Sequence, residues 1–321
     1  MAGSSNHHRL VCSVGWKICF AMTKSTDIGM NRSLDKILRR SAPGAGLGEG
    51  PLWSRRDGCV YWVDIIGRML HSYRLDDSGQ RRWSFPEPIA WVIERRQGDF
   101  ICGLQSGFAA LTLAPFSLRP LVNPYPQQPE NRLNDAKADH RGRIWAGSMH
   151  QSASKRSGAL YRLNVDFTLN ELDSPYHIAN GPTFSRDHSR VYHTETDSGE
   201  IFRFDLDASG EPVNKRLFVR FDGDMGKPDG MTTDCADGIW VAHWGGGRVS
   251  RFTPDARLDF SISLPASQIT SLCFAGDRLD RLFVTSAADG VPGEAEAGTL
   301  FELSGDLLRG HRGLEPCQFG G

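Results

Sequence analysis

The chain has 321 residues, with 37 basic against 38 acidic side chains and a formal net charge of −1, so nothing in its charge draws it to nucleic acid or an anionic membrane. A small neutral or weakly charged molecule is the better-matched partner. Seven cysteines, Cys12, Cys19, Cys59, Cys102, Cys235, Cys273 and Cys317, include no CxxC pair; an odd, scattered set argues against a disulfide framework and for a reducing, cytoplasmic setting. No apolar run approaches the roughly 18 residues of a membrane span, which predicts a soluble protein.

In chain order, residues 1–32 hold a short apolar patch interrupted by Lys17 and no small-residue cleavage site. They are expected to be a disordered extension rather than a secretory signal. Residues 33–321 are expected to form a single domain. Its first segment, "SLDKILRR" (Ser33 to Arg40), is expected to be extended and to complete the last repeat of a ring.

From there a unit recurs: a turn rich in Asp, Gly, Arg or Ser, then two β-branched and aromatic runs. Its copies are "SRRDGCVYWVDIIGRMLHSYRL", "ERRQGDFICGLQSGFAALTL", "DHRGRIWAGSMH" with "SGALYRLN", "SRDHSRVYHTETDSGEIFRFDL", "DCADGIWVAHWGGGRVSRFTPD", and "DRLDRLFVTSAADG" with "GTLFELS". Six copies at intervals of roughly 40 to 50 residues match the blades of a propeller. Within a copy the period is two, as in "GRIWAGSM", where Ile144, Ala146 and Ser148 alternate with Trp145, Gly147 and Met149. With 35 glycines and 17 prolines, few stretches could sustain a helical period. The predicted fold is all-β, a six-bladed β-propeller with a central metal site.

Propeller geometry brings residues that are distant in sequence to one channel. Four polar residues stand just before a predicted inner strand in a pliable setting: Glu49 in "GLGEGPLW", Asn134 in "NRLNDAKAD", Asn180 in "IANGPTFS" and Asp229 in "GKPDGMTTD". Taken singly, "NG" and "DG" are ordinary turn signals and Glu49 an ordinary loop acid. Taken together, two carboxylates and amide carbonyls are hard oxygen donors suited to Ca²⁺, Mg²⁺ or Mn²⁺, with Zn²⁺ also accessible through carboxylate oxygen.

The strings "GLGEGPLW", "RLNDAKADHRGRIWAGSM", "ANGPTFSRD", "KPDGMTTDCADGIWVAHWGGGRVSRFTPD" and "LFVTSA" closely resemble the gluconolactonase and regucalcin (senescence marker protein) family, in the family's order from about Gly46 to about Leu303. The resemblance implies a six-bladed propeller that holds one divalent ion and hydrolyses a sugar lactone. By matching motif it implies Glu49, Asn180 and Asp229 as metal ligands and Arg132 and Asn134 as substrate-binding residues. The chain departs from the family after "AGSM": several members supply an acid there, whereas "HQSASKRSGA" has none. His150, Gln151 and Ser152 are the candidates to replace it, and His150 is taken as the third substrate-binding residue.

Lactone hydrolysis needs a polarised carbonyl, an activated water and a protonated leaving oxygen. Asp229 is expected to carry the proton, as a general base that is also a ligand; a purely ligating Asp229 is the alternative. A serine hydrolase is disfavoured, since "GLQSG" at Gly103 misplaces the serine of a nucleophile elbow. The rival class is a non-enzymatic propeller that handles calcium or scaffolds partners. Trp91, Phe108 and Trp244 are possible pocket walls, although such rings more often pack between blades. His188 and His193 lack the spacing of a zinc pair, and His243 reads as packed.

Overall fold

The computed structural model describes residues 37–321. The expected extension, 1–32, and Ser33 to Lys36 of the expected closing segment lie outside the described residues. Six antiparallel sheets of four strands account for the described fold. Two 3₁₀ turns, Gly223–Met225 and Gly305–Leu308, are its only helical segments. No helix among the described residues is long and apolar enough to cross a membrane.

The blades follow one another along the chain. Residues 48–84, 89–122, 131–176, 179–220 and 227–263 each form one meander, and the sixth blade joins 269–304 to Leu38–Arg39. The first strand of each meander is innermost: Gly48–Ser54, Ile89–Glu94, Asn131–Ala138, Ala179–Phe184, Lys227–Thr233 and Ile269–Ala275. These strands touch in cyclic order, the sixth against the first, and so enclose a central channel. The ring is latched where Leu38 pairs with Glu302 and Arg39 with Phe301, which makes an early segment the outermost strand of the last blade.

Both faces of the middle strands are buried, because each blade is packed between two others. Ile144–His150 is buried throughout, and Trp145 meets Phe184 of the next blade edge to face at 5.6 Å. The Asp that opens each of two repeats is a clamp rather than a solvated turn acid. Asp139 accepts from Trp145 Nε1 at 3.0 Å and Arg143 Nε at 2.7 Å. Asp234 accepts from Trp240 Nε1 at 2.8 Å and Arg251 Nε at 2.6 Å. A buried indole N–H thus has its partner, and the turn is tied to the strand it feeds.

Every inner strand slips register against its neighbour at one place. The slips fall between Glu49 and Leu52, Ile89 and Trp91, Leu133 and Ala136, Asn180 and Thr183, Pro228 and Met231, and Ile269 and Leu272. Such bulges leave residues out of the ladder and re-aim their side chains. At the far end of the channel, residues 312–321 run across the ring as a strap. Cys235 N donates to Arg312 O, Gly313 N to Leu279 O, Arg55 Nε to Glu315 Oε1, Phe319 N to Glu94 O and Gly320 N to Gly142 O, at 2.8 to 3.0 Å. Blades five, six, one, two and three are all engaged.

Candidate active site

The sequence places Glu49, Asn134, Asn180 and Asp229 before their strands; the structure places them inside. Glu49 is the second residue of Gly48–Ser54, Asn134 the fourth of Asn131–Ala138, Asn180 the second of Ala179–Phe184 and Asp229 the third of Lys227–Thr233. The bulge, rather than a preceding loop, turns them. Each stands beside the slip in its own blade, so all four arrive at the same level of the channel. All are buried, between 3 and 7 % exposed.

Hydrogen bonds connect these residues across blades. Asn180 Nδ2 donates to Asp229 Oδ1 of the next blade and to Thr196 Oγ1 at 3.3 Å. Asn134 Nδ2 reaches the Ala179 carbonyl at 3.1 Å. Arg132, itself buried, donates through Nη1 to Asn134 Oδ1 at 2.7 Å and to Leu133 O at 3.0 Å. Glu49 Oε2 accepts from Gly50 N at 3.0 Å.

A third carboxylate, Asp135, joins the group; sequence reading passed over it. It is 6 % exposed and accepts from Ala136 N at 2.7 Å. The signal that could have found it is its place at the bulge, next to Asn134 and level with Gly50 and Gly181. Burial, then the charge of Asp135, pushes the Glu49 carboxyl up to about 8, with Gly50 N–H and Arg132 pulling the other way. Burial, then Glu49 and Asp135, raises Asp229 well above the usual carboxylate range. Burial also raises Asp135, opposed by Lys137, whose Nζ crosses to Met231 O at 3.1 Å. Arg132 is shifted down by burial and supported by Glu49, Tyr125 and Asp229.

This donor set fits a hard divalent cation. Three acids share a desolvated space in which Asp135 disfavours the charge of Glu49 and both disfavour that of Asp229, and a dipositive ion would relieve that penalty. Among the described residues no three His, Cys, Asp or Glu side chains are grouped to hold a metal; the expected set of Glu49, Asn180 and Asp229 includes an amide. Asn180 presents Nδ2 to Asp229 while its Oδ1 accepts from Gly181 N at 2.9 Å; carbonyl ligation calls for rotation of that amide.

His150 stands at the channel-mouth end of its strand, paired with Asn131, but its ring is engaged. Nε2 meets Glu130 Oε2 at 3.1 Å, and Nδ1 faces Ser152 N at 3.3 Å and Ser152 Oγ at 3.0 Å. Trp91 and Phe108 pack against each other in blade two, 1 and 2 % exposed, as core rings. Trp244 ends Ile239–Trp244, half-buried. His193 is fully buried with both ring nitrogens unpartnered, and His243 donates through Nδ1 to Met225 O at 2.7 Å. "GLQSG" is split between two strands, Phe100–Leu104 and Gly107–Leu113, and forms no elbow.

Residues 47–288 match the family described as SMP-30/Gluconolactonase/LRE-like region. The chain is 35% identical to L-arabinolactonase of Azospirillum brasilense over 284 residues, covering 86% of this chain and 92% of that protein. It is 33% identical to 6-deoxy-6-sulfogluconolactonase of Pseudomonas putida over 262 residues, covering 81% and 89%. Among solved structures it superposes on a calcium-binding protein, regucalcin, of Agrobacterium tumefaciens with a TM-score of 0.80 and 25% identity, covering 88% and 95% of the two chains.

Proposed function

Since the chain belongs to the SMP-30/gluconolactonase/LRE-like family, we propose that it is a hydrolase of carboxylic esters that opens a sugar lactone to its aldonic acid and depends on one divalent ion. The observation that carries this reading is the delivery of Glu49, Asn134, Asn180 and Asp229 by four different blades, each at its bulge, to one buried level of the channel, with Arg132 beside them. The relatives named as lactonases support the reaction class.

In this reading Glu49, Asn180 and Asp229 hold the ion, which when bound polarises the lactone carbonyl and makes water more acidic. Arg132 and Asn134, already joined by a 2.7 Å bond, bind the sugar's oxygen atoms and fix the carbonyl in place. As water oxygen bonds to the carbonyl carbon, an Asp229 carboxylate oxygen takes the water proton. The ring C–O bond then breaks, and Asp229 returns the proton to the departing ring oxygen, giving a hydroxyl and a carboxyl group. Burial raises Asp229 in the ion-free protein; a bound cation would favour its charged form, the form that accepts the water proton. Five described cysteines are free thiols, which supports a cytoplasmic setting.

The test is a pH-indicator assay over a panel of aldonolactones, on chelated protein and after add-back of Ca²⁺, Zn²⁺, Mg²⁺ or Mn²⁺. Turnover that vanishes on chelation and returns with one ion is expected. Tight ion binding with no hydrolysis of any lactone would move the reading to a calcium-handling propeller.

A further inference from the structure

The carboxylate of Glu130 occupies an unusual position for a rim acid. It lies two residues before Arg132, and its backbone extends the ladder of the inner strand, since Gln151 N donates to Glu130 O at 2.9 Å. Its side chain is 63 % exposed, yet two cations or donors fix it: Lys155 Nζ at 2.5 Å and His150 Nε2 at 3.1 Å. Ordinary rim ion pairs join two mobile side chains and contribute little; they need no buried partner. Here the partner is an imidazole only 8 % exposed.

The hydrogen bonds around that imidazole define its tautomer. Nδ1 faces the Ser152 N–H, with Ser152 Oγ at 3.0 Å and Ser154 Oγ at 3.3 Å. An N–H can only donate, so Nδ1 is the acceptor and the proton sits on Nε2, pointing at Glu130. His150 therefore acts as a fixed donor that aims an acceptor, in the way that partners of a site residue orient it. Two oxygens of a carboxylate offer about four acceptor positions. His150 and Lys155 both use Oε2, so Oε1 remains open toward solvent at the mouth.

We infer that Glu130 is the residue that reads the substrate's hydroxyl groups, and that His150 is its positioning residue rather than a direct substrate contact. Two residues of strand span roughly 7 Å, about the length of a sugar ring with its side arm. A lactone held at its carbonyl end by Arg132 and Asn134 thus places its far hydroxyls at Glu130. This inference rests on the lactonase reading above and adds the polyol as the feature that is recognised.

The experiment compares wild type, E130Q, H150A and the double variant on gluconolactone and on δ-valerolactone, which carries no hydroxyl groups and serves as substrate or competitive inhibitor. E130Q is expected to raise KM for gluconolactone about tenfold with kcat within about twofold, and to leave δ-valerolactone unchanged. H150A should act in the same direction, with the double variant no worse than E130Q alone. Unchanged KM for gluconolactone in E130Q, equal losses on both lactones, or additive losses in the double variant would overturn the assignment. A wild type inert toward every lactone would instead overturn the reading of function, so the two failures are separable.

Discussion

Gly181 of blade four lies against Asp229 of blade five so closely that a methyl group built on it would stand 2.7 Å from the Asp229 carbonyl oxygen. Gly181 also has φ of +48°, where a side chain is strained. The same contact joins blades one and two, where a methyl on Gly50 (φ +52°) would lie 2.9 Å from Ala90 O. Close backbone approach at Gly181 sets Asn180 beside Asp229. Gly181→Ala is therefore expected to cost about 1 to 3 kcal/mol from strain alone and to lower ion affinity as well, measured by denaturant melts and by titration of the ion into chelated protein. A stable variant with wild-type affinity would show that the contact does not position the pair.

Glu49→Gln separates stability from ion binding. Burial of its charge is unfavourable in the ion-free protein, so the variant should melt higher than wild type in chelator at pH 8. With saturating divalent ion the order should reverse, because the variant has lost a ligand, and lactonase activity should fall at least a hundredfold. Asp229→Asn should lose activity to a similar extent. Retention of both ion affinity and turnover within a few-fold in Asp229→Asn would remove its proton-carrying role.

The pH dependence of the chelated protein follows from the same burial. Glu49 has an ordinary value of 4.5 and a folded value of about 8. Between these the folded chain keeps a proton that the unfolded chain has released, so stability is fully present below 4.5 and declines as pH rises through 8, by up to about 1.4 kcal/mol per pH unit. His193 and His243 act in the opposite sense: burial lowers them from 6.5 to about 3 and about 4. Their contribution is complete above 6.5 and is lost as pH falls. From pH 6.5 to 8 only the acids should set the slope, and melting temperature in chelator should fall with pH. Glu49→Gln should flatten that fall, and divalent ion should abolish it. A flat wild-type profile in chelator would contradict the burial argument.

The C-terminal strap should matter for stability and not for chemistry. Phe319 is fully buried and packs on Phe167 at 5.6 Å, at the channel end opposite Glu49. A cavity of about 110 Å³ is lined by inner-strand residues such as Lys137, Thr183 and Cys273 and by Pro316 of the strap. Phe319→Ala is expected to cost about 3 to 5 kcal/mol in urea melts while kcat at 25 °C stays within about twofold. A small stability change would mean that the strap is not a clasp.

The blade count was legible in the sequence because each blade is a local object. Turn residues such as Asp139 and Asp234, and the alternation from Ile144 to His150, act within a dozen residues. Glu49, Asn180 and Asp229 could be picked out for the same reason, since their Gly and Pro neighbours mark backbone that departs from a plain ladder. What the local pattern leaves open is which side chain meets which.

Asp135 reads as one more acid in "LNDAKAD" until ring closure brings Glu49 and Asp229 to its side, and a string of serines after His150 does not reveal that Glu130 comes back to meet the ring. The strap is equally silent, since "RGLEPCQFGG" has no period at all, yet it touches five blades. The amino-acid sequence by itself determined the repeat, the number of blades and the residues free to leave the ladder. Only the closed ring decided the neighbours, the burial and hence the charge state of the site, because those depend on contacts between residues dozens to hundreds of positions apart.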